Sequence, residues 1–185
     1  MVYDGVILGK TVKLRSVEER DAEITFRMRS DPEKSQFFHR ATGTVDDQLN
    51  YIRKQRITPG DYLFIYEDFK ENPLGMKGLY DYDPEKKVIE SGRFVGFGSQ
   101  IQNMEAFLLS LDFAFDYLKV DQINMAALET NTMMLNIQKK LGCIFTYRDK
   151  PEGIDVDSIH SYLLKDTFNQ SKLKMQYFID RFANR

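Results

Sequence analysis

The stretch RFVGFGSQIQNMEAFLLSLDFAF, residues 93–115, decides the fold. It passes from a strand-like run through Gly96 and Gly98 into a strongly apolar helical pattern, so the chain turns from sheet to helix within a few residues. Such a junction is either a tight turn or an anion site, because the first amides of a helix lack intrahelical acceptors and the helix dipole favours negative charge there. Upstream, DYLFIYED (61–68), PLGMKGLYDYD (73–83) and KVIESGRFVG (87–96) are rich in aromatic and β-branched residues and are separated by turn sequences. They predict an antiparallel meander that ends at the junction. Downstream, residues 103–119 read as the most apolar helix, QINMAALE (122–129) as a strand, and NTMMLNIQKKLG (131–142) as a helix stopped by Gly142. Two further strands are predicted near 143–148 and 157–164.

The N-terminal part alternates at 12–17 as a strand and then reads as a helix over SVEERDAEITFRMRSD, with Ser16 as N-cap, Glu19 three residues on, and Asp31-Pro32 as its end. A second helix over TVDDQLNYIRKQR starts under a Thr44 cap with Asp47 at the capping-box position. In the tail, Leu173, Phe178, Ile179 and Phe182 form one helical stripe able to dock on the body or on a partner.

Composition narrows the setting. With 185 residues and 42% hydrophobic content the chain can bury a full core, and its net charge of −2, with both signs interspersed, offers no basic footprint for nucleic acid and no polybasic membrane patch. The apolar runs fall short of a membrane span, so the chain reads as soluble and cytoplasmic. One cysteine, Cys143, excludes an internal disulfide, and His39 and His160 give no metal-ligand spacing, so no metal is expected.

The element order, together with LETNTMMLNIQKKLG (128–142), resembles the GNAT acyltransferases over about residues 7–165. It is most similar to the branch holding ribosomal-protein alanine N-acetyltransferases and sugar-nucleotide N-acetyltransferases. GKTVKLRSVEERDAE resembles the first strand and helix of that branch, PLGMKGLYDYD its third strand, and IESGRFVG its fourth, with an acidic residue two positions before a glycine. LSLDFAFDYLKVDQI resembles its long helix, and Asn131 with the KLG ending resembles the coenzyme-side helix. The resemblance implies an α+β GNAT fold: a mixed, mostly antiparallel sheet splayed between its fourth and fifth strands, with helices on both faces. It implies an acyltransferase domain over 1–165, followed by a helical extension over 166–185 packed on the domain or on a partner.

The implied activity is transfer of an acetyl group from acetyl-CoA to a primary amine by direct attack in a ternary complex, the natural acceptor being an amino sugar on a nucleotide. A protein N-terminus or a polyamine is also compatible. The amine must arrive neutral, and the thioester oxygen needs a donor. Glu90 matches the acidic residue of the branch and is the candidate base; alternation places it on one face with Gly92 and Phe94. The other reading of Glu90 is a paired or solvent-facing strand glutamate. Backbone N–H groups of Phe94, Val95 and Gly96 are expected to face the thioester and pantetheine. Gly98, Ile101, Gln102, Asn103 and Met104 would surround the pyrophosphate, with Gly96, Gly98 and Asn103 supplying conformational freedom; the other reading of Met104 is core filler. The family fingerprint [QR]-x-x-G-x-[GA] is absent, since its glycines fall on Ser99, Ile101 and Asn103.

Asn131 is read either as a pantetheine ligand or as a helix cap. Gln138 stands where the family commonly has a tyrosine that protonates the thiolate; an amide can hydrogen-bond the sulfur but cannot act as the acid. These two departures leave open a second class of function, a coenzyme A sensor or interaction module. On the acceptor side, Phe37, Phe38, His39 and Arg40 lie where the family's first two helices flank the substrate, and either bind it or pack under a loop. Tyr80 and Tyr82, read as sharing a face, either border the acceptor or pack. A homodimer is compatible with the tail.

Overall fold

The computed structural model describes residues 1–34, 37 and 43–183. Its elements run β1 (Val6–Leu8), β2 (Lys13–Ser16), α1 (Ala22–Ser30), α2 (Val45–Ile57), β3 (Tyr62–Glu67), β4 (Pro73–Asp83), β5 (Val88–Gly96), α3 (Gln100–Asp112), β6 (Gln122–Leu128), α4 (Thr132–Leu141), β7 (Ile144–Asp149), β8 (Ser158–Leu164) and α5 (Lys165–Ala183). Among the described residues the strands form one sheet in the order β1-β2-β3-β4-β5-β6-β8-β7. Every neighbouring pair is antiparallel except β5 with β6, which is parallel and joined through α3. This is the expected α+β architecture, with one strand more: the short edge strand β1 makes the implied fourth and fifth strands β5 and β6.

β3 is buried along its whole length because its two faces meet different cores. Tyr62, Phe64 and Tyr66 join the larger core with Leu79, Ile89, Phe107, Leu111 and Phe115, while Leu63 and Ile65 join Ile52, Met76 and Val95 on the side of α1 and α2. Strict alternation feeding two apolar layers is what fixes the sheet's register. α3 ends in one π-type turn, Phe113–Tyr117, where the Phe113 and Tyr117 rings stack at 4.8 Å.

Several local expectations are corrected. Ser16 does not cap a helix: it lies in β2 opposite Phe64, and its hydroxyl exchanges hydrogen bonds with the Tyr3 backbone. The capping box belongs to Glu18 and Asp21, which open a 3-10 turn ahead of α1. The tail stripe divides. α5 buries Phe168, Met175 and Ile179, and it leaves Leu173, Phe178 and Phe182 exposed. No helix among the described residues is long and apolar enough to cross a membrane.

The Thr44 cap is as expected, with the Asp47 amide donating to Thr44 Oγ1 and Asp47 accepting from the Thr44 amide. Thr44→Ala is expected to cost about 1 kcal/mol. Thermal melting checks this, with a fall of about 3 °C expected.

Candidate active site

The parallel ladder between β5 and β6 is short, running from Val88 opposite Gln122 to Ser91 opposite Met125. Beyond it β6 stays with β8 as far as Leu128, while β5 stays with β4 as far as Gly96. The strands therefore fork, and residues 92–96 have no ladder partner on the side facing β6. The fork starts at a bulge. Met76 pairs with Val95 and Gly78 with Gly92, so Lys77 alone stands opposite Arg93 and Phe94. Arg93 takes φ 52°, a costly conformation for a non-glycine residue. Its guanidinium offsets that cost by bonding Asp61 at 2.7 Å and lying over the Tyr80 ring at 4.3 Å.

The bulge corrects the expected face of Phe94. Glu90 lies opposite Tyr80, whose ring Arg93 covers together with Tyr51 of α2, so these groups share the side of α1 and α2. Phe94 instead packs on the other side, stacked on Tyr66 at 6.1 Å and edge-on to Phe107 at 5.5 Å. A second irregularity, with Asp81 at φ 53°, separates Tyr80 from Tyr82. Tyr82 crosses to the α3 side, where its hydroxyl donates to the Leu118 carbonyl.

Glu90 is half-buried and makes no hydrogen bond or ion pair among the described residues. Burial pushes the phenols of Tyr51 and Tyr80 up, and for Tyr80 the charge of Glu90 adds to the effect. Arg29 of α1 covers the Tyr51 ring at 5.3 Å. Phe37 is half-buried; Phe38, His39 and Arg40 lie outside the described residues.

On the α3 side, Ser91, Met125 and Ser161 stand abreast across β5, β6 and β8 at the mouth of the fork. Gln138 of α4 is buried over this row, its Oε1 accepting from Ser161 Oγ at 3.2 Å. Nearby, burial pushes the Cys143 thiol up to about 12, which leaves it unreactive.

At the junction, Phe97 and Gly98 both donate their amides to the Leu74 carbonyl. Ser99 caps α3, which begins three residues earlier than expected. Its hydroxyl accepts from the Gln102 amide, and Gln102 Oε1 accepts from the Ser99 amide. The Gln102 side chain is thus engaged in the cap. The Asn103 amide makes the first bond of the helix, to Ser99 O, so it is not a free donor. The amides of Gln100 and Ile101 have no acceptor among the described residues. Neither Gly96 nor Gly98 has positive φ. What demands glycine at 96 is a brace: Tyr66 donates to Asn103 Oδ1 at 2.6 Å, and Asn103 Nδ2 to Gly98 O, while a Cβ on Gly96 would lie 2.7 Å from the Tyr66 hydroxyl. Ile101 and Met104 pack against the larger core. Asn131 caps α4, its Oδ1 accepting from the Met134 amide at 3.1 Å.

A fork of this kind, with an apolar helix starting at its mouth, is found together with a family match. A model described as an acetyltransferase (GNAT) domain matches residues 11–144. The chain belongs to the GNAT acetyltransferase family. No curated protein matches it significantly. Among solved structures, this GNAT chain is similar to apo FdhC, a nucleotide-linked sugar GNAT, at 21% identity and TM-score 0.81 over 96% of this chain and 99% of that one. It is also similar to spermidine N-acetyltransferase from Vibrio cholerae in complex with CoA and spermine, at 15% identity and TM-score 0.78 over 87% and 99% of the two chains. The protein is an N-acetyltransferase of the family that uses acetyl-CoA. Its residues fit that molecule: the unpaired edge of β5 offers amide partners for pantetheine, and the two free amides of α3 suit a pyrophosphate.

Sequence reasoning missed Tyr51, Asp61, Lys77 and Arg93. Lys77 had a signal, a lone lysine inside the apolar run GMKGL. Arg93 had none, because its role depends on the bulge.

Proposed function

We propose that this GNAT enzyme acetylates a primary amine of a small molecule, an amino sugar carried on a nucleotide, by direct attack in a ternary complex. One observation carries this reading: a Glu90 carboxylate without a hydrogen bond or ion pair among the described residues stands beside a wall of Tyr51, Tyr80 and Arg93 on the side of α1 and α2. Such a wall suits a base that stacks and a phosphate that meets a guanidinium. A polyamine is the second reading, because Asp61 neutralises Arg93 at 2.7 Å and the Glu90 carboxylate on the same wall would attract a cation.

Acetyl-CoA supplies the acetyl group as an activated thioester. Glu90 takes the proton from the acceptor ammonium, directly or through water. The freed lone pair would form the N–C bond, the C–S bond would break with the thiolate leaving, and the second nitrogen proton would pass to the thiolate or to solvent. Amides on the fork side of β5, that of Gly96 among them, donate to the carbonyl oxygen as charge builds there, whereas the Val95 amide faces β4, since Val95 O lies against Gly75 and the Phe97 amide donates to Leu74 O. Gln138, its oxygen held by Ser161, offers its NH2 to the sulfur. Asn131 Nδ2 is left for a pantetheine amide. The reading includes a cytoplasmic enzyme whose acyltransferase unit spans 1–165, with 166–185 as a helical extension. It also includes a homodimer formed through the exposed Leu173, Tyr177, Phe178 and Phe182, for which sedimentation is the check.

The coenzyme half is tested at the junction. Ser99 is extended, so proline is sterically compatible at Gln100, the first helical position, where it removes one free amide and no helix bond. Gln100→Pro is expected to bind acetyl-CoA about tenfold more weakly by calorimetry, with an unchanged melting temperature. Unaltered affinity would mean that the junction is only a turn. Turnover of UDP- or dTDP-linked amino sugars in preference to spermidine tests the acceptor half.

A further inference from the structure

Lys77 is fully buried in β4, and no carboxylate pairs with it among the described residues. Its Nζ donates to Gly78 O at 3.1 Å, Ser91 Oγ at 2.8 Å and Gly92 O at 3.0 Å, and lies 5.2 Å from the centre of the Phe107 ring. An ammonium has three donors, and here each has an acceptor. The acceptors are not arbitrary. Ser91 is the last residue of β5 that pairs with β6, and Gly92 is the first that does not. The lysine thus grips both strands at the bulge, where the ladder between them loses its regular bonds.

Burying a lysine without a counter-ion is costly, and a structural filler would be apolar. The role that explains the cost is geometric. We propose that Lys77 is a positioning residue: its ammonium pins β5 at the fork and so aims the fork-side amides of residues 94–96 at the thioester. This rests on the coenzyme placement proposed above. Burial lowers the proton affinity of Lys77 to a pKa of about 7, and among the described residues the charge of Arg93 on β5 adds to the effect. Gly78, Ser91, Gly92 and Phe107, which surround the amine, are not ionised. A neutral amine keeps only two donors, with the lone pair free to accept from the Ser91 hydroxyl, so the grip weakens as the proton leaves.

Stability and binding then move in opposite directions with pH. The folded-state pKa lies below the ordinary lysine value of 10.5, so between about 7 and 10.5 the unfolded chain binds more protons and stability rises with pH. Affinity for acetyl-CoA falls over the start of the same interval.

The test compares the full chain with Lys77→Met and Lys77→Arg. Lys77→Met is expected to melt at or above the wild-type temperature at pH 6.5 and to lose that advantage by about pH 9. It is expected to bind acetyl-CoA about tenfold more weakly at pH 7, with a flat pH profile from about 7 to 9. Hydrogen exchange is expected to quicken at residues 92–96 and to stay unchanged in β3 and β6. Lys77→Arg, which does not titrate, keeps whatever affinity its bulk allows without the pH dependence. Wild-type affinity, pH profile and exchange in a folded Lys77→Met would overturn the proposal and leave the coenzyme placement standing. Absence of acetyl-CoA binding by the wild type would overturn both.

Discussion

Glu90→Gln is expected to lower kcat/KM for the amine about 10²- to 10³-fold at neutral pH while leaving acetyl-CoA affinity unchanged. The variant keeps the size of the side chain and removes its ability to take a proton. Because Glu90 makes no ion pair among the described residues, stability should change by less than about 0.5 kcal/mol. The deficit should shrink as pH rises toward the acceptor's own pKa, where the amine arrives already neutral. Steady-state kinetics across pH, once an acceptor is in hand, check all of this. A loss below about threefold at every pH would remove Glu90 from the role of base.

Gly75→Ala is expected to destabilise the protein by about 3 kcal/mol, a fall of roughly 10 °C in melting temperature. Gly75 is buried in β4, and an added Cβ would lie 2.2 Å from the Val95 carbonyl oxygen and 2.4 Å from the Tyr66 ring. Neither can step aside. Val95 O is backbone of the strand bearing the fork, and Tyr66 is tied to Asn103 at the start of α3. Gly78→Ala is the control for a milder clash, since the atoms nearest its Cβ are side-chain atoms of Arg93, from 2.9 Å, and none is backbone. Equal losses in the two variants would show that backbone crowding is not the cause.

The sequence carried most of this fold because its elements announce themselves by period and by cap. Thr44 with Asp47 is legible since both halves of the box are polar residues at a helix start. Ser16 with Glu19 satisfies the same pattern and misleads: pairing of β2 with β3 claims Ser16, and only the tertiary ladder can reveal that. Ser99 with Gln102 was obscured differently. A glutamine beside a suspected anion site reads as a ligand, whereas here it closes the cap.

The site was half legible. The strand that carries Glu90 and the helix that carries Gln138 were legible from their patterns and from the stop at Gly142. The partners of Tyr80 were not. Face assignments taken from alternation survive only until the first bulge, and β5 carries one at Arg93, next to the candidate site. The tail stripe divides: Ile179 docks on the body while Leu173, Phe178 and Phe182 are exposed, because α5 has apolar residues on more than one side and contact with α3, α4 and β8 chooses among them.

The length of the parallel ladder acts as a gauge. Every additional pair zipped between β5 and β6 would make the fork shallower by roughly 3.3 Å along the strands, and every pair lost would deepen it by as much. A half-sheet of β1 to β5 and another of β6 to β8 are thus hinged on a spine only Val88 to Ser91 long. A molecule lying in the fork and bonded to both sides extends that spine, so the ligand does for the sheet what the missing rungs would have done.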